Sequence, residues 1–336
     1  MSVKRGTVLL GLMLFLAMFL IPLLSLGGGS APSKSGSQNQ SSASQSRQPS
    51  ASSGSQFKVK DTSTGKILTV DDHTFLCGDV ASEMSPLAPT EALKAQAVAS
   101  YTYYSRLREN QKKSPTSELG GADFSADPQN WNIYVTKEEL QKRWGSNYDK
   151  YYKTISDAVD AVSGQVLKSG GSLIDATYFA ISSGNTENAE DVWGSKCSYL
   201  VSVASPYDVF AGGFQTTVTC SEADMKSRIL GIAPKADLNG AASGWIGKSD
   251  RSGAGGVKTI IIGGQTLTGS QVRSAFNLRS SDFTVSYANG TFTFSIKGYG
   301  HGVGMSQTGA EAMARQGSTY KQILSWYYPT TTLTNI

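Results

Sequence analysis

The first 56 residues limit what this chain can fold into, because an apolar run is followed by a polar stretch with almost no core-forming residues. Residues 8–26 carry no charge over 19 positions and come soon after Lys4 and Arg5. That length is close to what a helix needs to cross a bilayer, and basic residues favour the cytoplasmic side. We therefore predict a cytoplasmic N-terminus at residues 1–6 and a transmembrane anchor at residues 7–26. The alternative is a cleaved signal peptide.

Residues 27–56 are mostly Ser, Gln, Gly and Ala, and we expect them to be a disordered linker because they cannot bury a core. A flexible chain of this length spans roughly 30 Å on average. The remaining residues, 57–336, are long enough for a single large domain. The predicted arrangement is therefore a single-pass membrane protein whose folded domain is tethered outside the cytoplasm.

Charge and cysteine content exclude several classes of function for residues 57–336. The chain has 30 basic and 26 acidic residues, and four of the basic ones precede residue 57, so the folded part is formally neutral. A neutral domain lacks the basic surface of a nucleic-acid-binding protein. The cysteines, Cys77, Cys197 and Cys220, are too few for a disulfide framework or a metal cluster. Three thiols are expected, and one bridged pair with an odd thiol is the alternative.

Local patterns predict a mixture of strands and helices. Alternating polar and apolar residues indicate strands at 57–70 and 74–80, and a helix capped by Thr90 is expected to run to about Arg108. The further predicted strands are 257–262, 283–287 and 291–296, with a hairpin turn at Asn289–Gly290. The further predicted helices are 137–144, 148–163, 221–230, 307–315 and 319–328. This order predicts one mixed α+β domain with a long substrate cleft.

Three features are candidates for a functional site. Glu83 precedes a Pro-containing turn and a helix of small residues, where it is either a general acid or an ordinary surface carboxylate near a helix start. His301 lies between glycines just before a predicted helix, a setting that suits a site residue as well as a structural histidine. The polar loop at 177–207 carries aromatic residues that could stack on a sugar or anchor the loop on the core.

Several common motifs are absent. The Gly247–Ser249 segment ends like a phosphate-binding loop, but the first glycine of that motif falls on Ala242. Ser306 does not lie in a nucleophile-elbow sequence. The two histidines, His73 and His301, are far apart and without a CxxC or HExxH motif, so we expect no metal and no cofactor.

Three sequence blocks, at 81–103, 182–208 and 298–330, carry a resemblance to a known family. They contain ASEMSP with EALKAQAVAS, SSG with TENAEDVWG, and GYGHGVGMSQTGAEAMA with WYYP. In this order the chain resembles the family of stage II sporulation protein D, which also includes an amidase enhancer. The resemblance implies a sporulation enzyme of the mother-cell membrane that acts during engulfment. Such an enzyme is a peptidoglycan lytic transglycosylase, which cuts between N-acetylmuramic acid and N-acetylglucosamine and leaves 1,6-anhydro ends.

The resemblance also implies a substrate and partners. The family prefers glycan strands already stripped of stem peptides. The stripping is done by the amidase called stage II sporulation protein P, and stage II sporulation protein M completes the complex. A non-catalytic protein that binds cell wall and stimulates an N-acetylmuramoyl-L-alanine amidase is the alternative function. A hydrolase with a second carboxylate, Asp191 or Glu187, opposite Glu83 is a third.

The family resemblance assigns roles to individual residues. Glu83 is the expected catalytic acid and base, with a pKa raised by burial near Met84 and Leu87. Tyr101 stands where the family has an arginine, and Arg106 is a candidate to replace that charge. No zinc is expected at residues 123–134, which lack the Cys and His of some relatives. The residues expected to bind substrate are His301, Ser306 and Gln307, followed by Ser183, Thr186, Tyr199 and Tyr101.

Overall fold

The computed structural model describes residues 55–336, apart from Trp131. The anchor and nearly all of the linker predicted above therefore lie outside the described residues. Within the described part, none of the helices combines the length and the apolar character that crossing a membrane requires. The described residues form one compact unit.

Helices and strands alternate irregularly along the described residues, and the predicted mixed α+β class is confirmed. The helices are α1 (Asp72–Glu83), α2 (Thr90–Lys113), α3 (Lys137–Trp144), α4 (Tyr148–Asp160), α5 (Ala189–Trp193), α6 (Glu222–Ile232), α7 (Gly269–Phe276), α8 (Gln307–Arg315) and α9 (Tyr320–Tyr327). The strands are β1 (Gln56–Asp61), β2 (Ile67–Asp71), β3 (Phe124–Ala126), β4 (Gln165–Ser169), β5 (Ser172–Leu173), β6 (Tyr178–Phe179), β7 (Gln215–Ser221), β8 (Ile246–Arg251), β9 (Val257–Ile262), β10 (Gln265–Thr268), β11 (Phe283–Ala288), β12 (Thr291–Lys297), β13 (Met305–Ser306) and β14 (Thr332–Asn335).

The strands pair into small sheets of two or three members. β1 pairs antiparallel with β2 and parallel with β3, and β4 pairs with both β5 and β14. β8, β9 and β10 form an antiparallel meander. In a further sheet, β12 lies between β11 and β7. The short strands β6 and β13 pair in parallel, which joins the middle of the chain to the segment just before α8.

Buried apolar residues gather in two clusters, which we call the helical lobe and the sheet lobe. The helical lobe surrounds α2 and takes in α1, α4, α8 and α9. The sheet lobe is built on β7 to β12 and is covered by α6 and α7. Its core includes Met225, Ile229, Phe276, Phe292 and Phe294.

Helix α2 is the central element of the helical lobe. Ala92, Ala95 and Ala99 are fully buried, as the small-residue stripe predicts, because residues without long side chains let neighbouring elements approach closely. Glu91 lies in the first turn, and lysines at the last turn complement the helix dipole. The helix extends to Lys113, beyond the predicted end, and its N-cap is Pro89 rather than Thr90.

The strand predicted at 74–80 is wrong, because this segment lies inside helix α1. The Asp71 carboxylate accepts a hydrogen bond from the Thr74 backbone N–H at 2.8 Å, which caps the helix. Residues 75–81 are all buried. A helix surrounded by core on most sides shows no clean 3.6-residue pattern, and this explains the wrong assignment. The strand predicted at 57–70 is the β1–β2 hairpin.

Several local predictions are confirmed. Asn289 and Gly290 both adopt positive φ, 48° and 77°, and join β11 to β12 as the hairpin turn requires. The helices predicted at 307–315 and 319–328 are α8 and α9, and the structure shows that Ser306 and Thr319 cap them. The three cysteines are free thiols.

Candidate active site

Glu83 is the last residue of α1 and meets the first residue of α8. Its Oε2 accepts a hydrogen bond of 2.9 Å from the side-chain Nε2 of Gln307. These two residues are 224 positions apart in the chain, so only the packing of α1 and α8 around α2 brings them together.

Burial raises the pKa of Glu83, and the hydrogen bond from Gln307 acts in the opposite direction. A raised pKa keeps a carboxyl protonated closer to neutral pH, as a general acid requires. Met84 is buried as predicted, but Leu87 is 64% exposed and does not contribute to this desolvation.

The site contains a second carboxyl, Asp79, that the sequence analysis missed. It lies one helical turn before Glu83 and is fully buried. Burial raises its pKa well above the usual value, and the charge of Glu83 raises it further. The spacing of the two acids was a usable signal, but the strand assigned to this segment concealed it.

A series of buried polar side chains connects the two carboxyls through α2 and β6. The Gln307 Nε2 lies 3.4 Å from Gln96 Oε1, and the Gln96 Nε2 donates to Ser100 Oγ at 3.1 Å. Ser100 donates to the Tyr178 hydroxyl at 3.3 Å, and Tyr178 lies 3.5 Å from Asp79 Oδ1. Buried polar groups normally have hydrogen-bond partners, and here these side chains serve as partners for one another.

A cavity of about 340 Å³ lies between the helical and sheet lobes, and Glu83 is not among its lining residues. His301, Ser183 and Glu187 line it. Burial lowers the pKa of His301 to about 4, and the nearby Arg273 charge acts in the same direction. The imidazole is therefore neutral at physiological pH, and its Nδ1 accepts from the Val303 N–H at 3.2 Å.

The two carboxylates proposed as hydrolase partners of Glu83, namely Glu187 and Asp191, line this cavity instead. Glu187 Oε1 accepts hydrogen bonds from the Ser252 hydroxyl and the Gly256 N–H, at 2.9 and 3.0 Å. Asp191 forms an ion pair of 2.8 Å with Lys258 of β9. Both therefore tie the two lobes together.

Comparison with known proteins shows the family of this chain. A family model described as stage II sporulation protein matches residues 60–168. Stage II sporulation protein D of Bacillus subtilis (strain 168) is 36% identical over 271 residues, which cover 80% of this chain and 76% of that protein. The chain belongs to the stage II sporulation protein D family. The protein of that name from Bacillus amyloliquefaciens shows the same identity and coverage. An amidase enhancer of Bacillus subtilis (strain 168) is 30% identical over 77% of this chain and 40% of its own length.

Two side chains that the stage II sporulation protein D resemblance selected, Ser306 and Thr186, are fully buried. Ser306 donates to Asp208 at 2.5 Å and accepts from the Gly309 N–H, which caps α8. Thr186 accepts from the Val203 N–H at 2.9 Å. Both stabilise the loops around the site and do not form a wall of the cavity.

The remaining predicted residues lie in separate places. Ser183 lines the cavity and donates to the Ala254 carbonyl at 3.0 Å. The Tyr199 hydroxyl accepts from the backbone N–H of Asp175 at 3.2 Å. Of the substrate-binding residues predicted for the family, the structure thus brings Gln307 to Glu83, and His301 and Ser183 to the cavity.

The position where the family has an arginine is used differently here. The Tyr101 hydroxyl donates to Asp72 at 3.0 Å, and Arg108 binds the same carboxylate at 2.8 Å. Arg106, the candidate substitute, pairs with Asp175 at 3.3 Å. The charges of Arg106 and Arg108 are therefore engaged at carboxylates other than Glu83.

Metal binding has no candidate in the described part of the chain. No group of three or more His, Cys, Asp or Glu residues among residues 55–336, leaving aside Trp131, is arranged to hold an ion.

Proposed function

We propose that this protein is a peptidoglycan lytic transglycosylase. It cleaves the bond between N-acetylmuramic acid and N-acetylglucosamine in glycan strands without stem peptides, and it acts during sporulation. The observation that carries the proposal is the Glu83 carboxyl, whose pKa is raised by burial and which is held at 2.9 Å by the Gln307 amide. Membership of the stage II sporulation protein D family supports the same function.

A single carboxyl can carry out both steps of this reaction. Protonated Glu83 gives its proton to the glycosidic oxygen, and the bond from that oxygen to C1 of the muramic acid residue breaks. The resulting carboxylate then takes the proton of the 6-hydroxyl of the same sugar as O6 bonds to C1. The product is a 1,6-anhydro ring, no water enters, and Glu83 is protonated again.

The surroundings of Glu83 favour this route over hydrolysis. A hydrolase normally needs a second carboxylate open to the substrate across the scissile bond. Asp79 is fully buried one turn earlier on the same helix, so it cannot activate a water on the opposite face of the sugar. Glu187 and Asp191 line a cavity whose walls do not include Glu83.

A non-catalytic function remains the second candidate, and two observations favour it. The chain is similar to an amidase enhancer over 77% of its length. In addition, the family's arginine is replaced by Tyr101, whose hydroxyl is bound to Asp72. In this alternative, the protein binds glycan strands and stimulates an amidase without cutting them.

We also propose a location and partners for this protein. Residues 7–26 would anchor the protein in the mother-cell membrane, and the linker would let residues 57–336 reach the wall. An amidase must first remove the stem peptides, which suits a complex with stage II sporulation protein P and stage II sporulation protein M.

The test is a cleavage assay with the purified full chain in detergent and glycan strands stripped of stem peptides. Mass spectrometry should detect 1,6-anhydro ends with the wild type and none with Glu83→Gln. Glu109→Gln, a change on the surface of α2, is the matched control and should cleave normally. Products whose new ends have gained water would contradict the proposal and show that the protein is a hydrolase. Binding without cleavage, together with stimulation of an added amidase, would replace it with the enhancer function.

A further inference from the structure

The Gln307 amide donates both to Glu83 and to Gln96, and from Gln307 onwards the hydrogen bonds all point towards Asp79, where they end. We propose that Asp79 is a positioning residue that sets which atom of the Gln307 amide faces Glu83. The inference rests on the function proposed above, because it concerns the proton on the same catalytic carboxyl.

Each link from Gln307 to Asp79 has its donor on the Gln307 side and its acceptor on the Asp79 side. The Gln307 amide donates to Gln96, Gln96 donates to Ser100, and Ser100 donates to Tyr178. Tyr178 in turn donates to Asp79 Oδ1, across the longest link, 3.5 Å. Such a series is consistent only if its last member accepts a hydrogen bond.

The form of Asp79 that suits this role is the neutral acid. Its Oδ2 has no partner among the residues that the structure describes, so it is free to carry the proton while Oδ1 accepts. Burial, the largest cause, raises the pKa of Asp79 well above the usual value, which agrees with that form. The nearby hydroxyls of Ser100, Tyr104 and Tyr178 act to lower the pKa of this carboxyl, but burial outweighs them.

Replacing Asp79 with a residue that cannot accept a hydrogen bond would favour the reverse donor–acceptor direction along the series from Tyr178 to Gln307. With an apolar side chain at position 79, the Tyr178 hydroxyl loses the acceptor of its proton, and it regains one by donating to Ser100. Ser100 must then donate to Gln96, whose amide turns over and donates to Gln307. The Gln307 amide oxygen would then face Glu83 in place of Nε2, and the ionised form of Glu83 would lose its donor.

The titratable groups that face Glu83 come from three elements. Asp79 lies on the same helix, Tyr104 on α2 and Tyr178 on β6. Burial raises the pKa of both tyrosines well above the usual value of about 10, so they stay neutral through the range of the assay. The alkaline limb of a pH profile therefore reports the two carboxyls.

The decisive experiment compares Asp79→Asn with Asp79→Val in the full-length protein. Glycan cleavage is followed against pH, and the titration of Glu83 is followed by NMR of labelled carboxyl carbons. Asp79→Asn keeps an acceptor oxygen and should hold the Glu83 pKa near that of the wild type. Asp79→Val should raise it, and with it the alkaline limb, by about one pH unit, the size expected for one lost hydrogen bond to a charged group.

A second change separates the amide orientation from simple desolvation by valine. Adding Gln96→Leu to Asp79→Val cuts the series, so the Gln307 amide is free to turn its Nε2 back to Glu83. The pKa of Glu83 should then fall again towards the wild-type value. A further rise would mean that desolvation alone caused the first shift, and would overturn the proposal.

The remaining outcomes are also distinct. If Asp79→Asn and Asp79→Val both lower the pKa of Glu83, then Asp79 acts through its negative charge and the proposal fails. Thr102→Val, a buried change on α2 outside the series, controls for lost stability and should not move the profile. If the wild type makes no anhydro ends, the proposed function fails, but the NMR titration still decides the inference about Asp79.

Discussion

At the scale of single residues, the chemistry of Glu83 depends on one amide nitrogen. The carboxyl is desolvated by its surroundings, which favours the protonated form, and Gln307 donates to it, which favours the ionised form. The balance between desolvation and this hydrogen bond sets the fraction of Glu83 that is protonated at the working pH. A general acid that later acts as a base needs both forms to be accessible.

The variant Gln307→Leu tests this balance. It removes the donor and should raise the pKa of Glu83 by about one unit, because a hydrogen bond to a charged group stabilises the ionised form. NMR titration of Glu83 measures the shift, and Gln316→Leu, at an exposed position beyond α8, is the control. An unchanged pKa in Gln307→Leu would mean that desolvation by itself controls the acid.

At the scale of elements, the start of α8 is what delivers Gln307 to Glu83. Asp208 accepts hydrogen bonds from the Ser182 N–H and the Ser306 hydroxyl, at 2.6 and 2.5 Å, and so fixes the loop before the helix. Gly309, in the first turn of α8, leaves room for the Tyr327 hydroxyl of α9. The helix can approach α9 this closely only because position 309 has no side chain.

A pair of glycine substitutions measures that requirement. A Cβ at Gly309 would lie 1.9 Å from the Tyr327 hydroxyl, so we expect Gly309→Ala to lower the free energy of unfolding by about 2 kcal/mol or more. Gly231, near the end of α6, has nothing within 4 Å of its added Cβ. Gly231→Ala should raise stability by about 0.5 to 1 kcal/mol through its helix preference. Chemical denaturation of both variants gives the comparison, and equal effects would contradict the close approach.

At the scale of the whole molecule, buried carboxyls make stability depend on pH in an unusual direction. Burial raises the pKa of Asp79, Asp208 and Glu187, so each binds a proton more tightly in the folded state than in the unfolded chain. The stabilising contribution of such a group is greatest when the pH is below the pKa that the group has in the unfolded chain. That contribution is lost as the pH rises towards the folded pKa.

The variant Asp79→Asn isolates one of these groups. Because asparagine does not titrate, the variant should gain stability relative to the wild type as the pH rises above about 4, by up to about 1.4 kcal/mol per unit. Below that pH the difference in the free energy of unfolding between the variant and the wild type should disappear. Urea unfolding at several pH values measures it, with Asp127→Asn, at a carboxylate in an exposed turn, as control. A difference that does not change with pH would mean that Asp79 has the same pKa in the folded protein as in the unfolded chain.

The sequence by itself determined the local elements and the family. The Asn289–Gly290 turn and the alanine stripe of α2 each depend on a few neighbouring residues, and they appear in the structure where the pattern predicts them. The three sequence blocks identified the family, because their residue order does not depend on how they pack. Glu83 was likewise selected from its motif.

Only the tertiary structure decided what surrounds Glu83. The contact with Gln307 joins positions 224 apart, and the network through Gln96 and Tyr178 depends on the packing of α2 against β6 and α8. Asp79 was missed because a helix buried on most sides loses its periodic pattern and looks like a strand. Local spacing encodes caps and turns, whereas the partners and desolvation of a buried carboxyl are set by long-range packing.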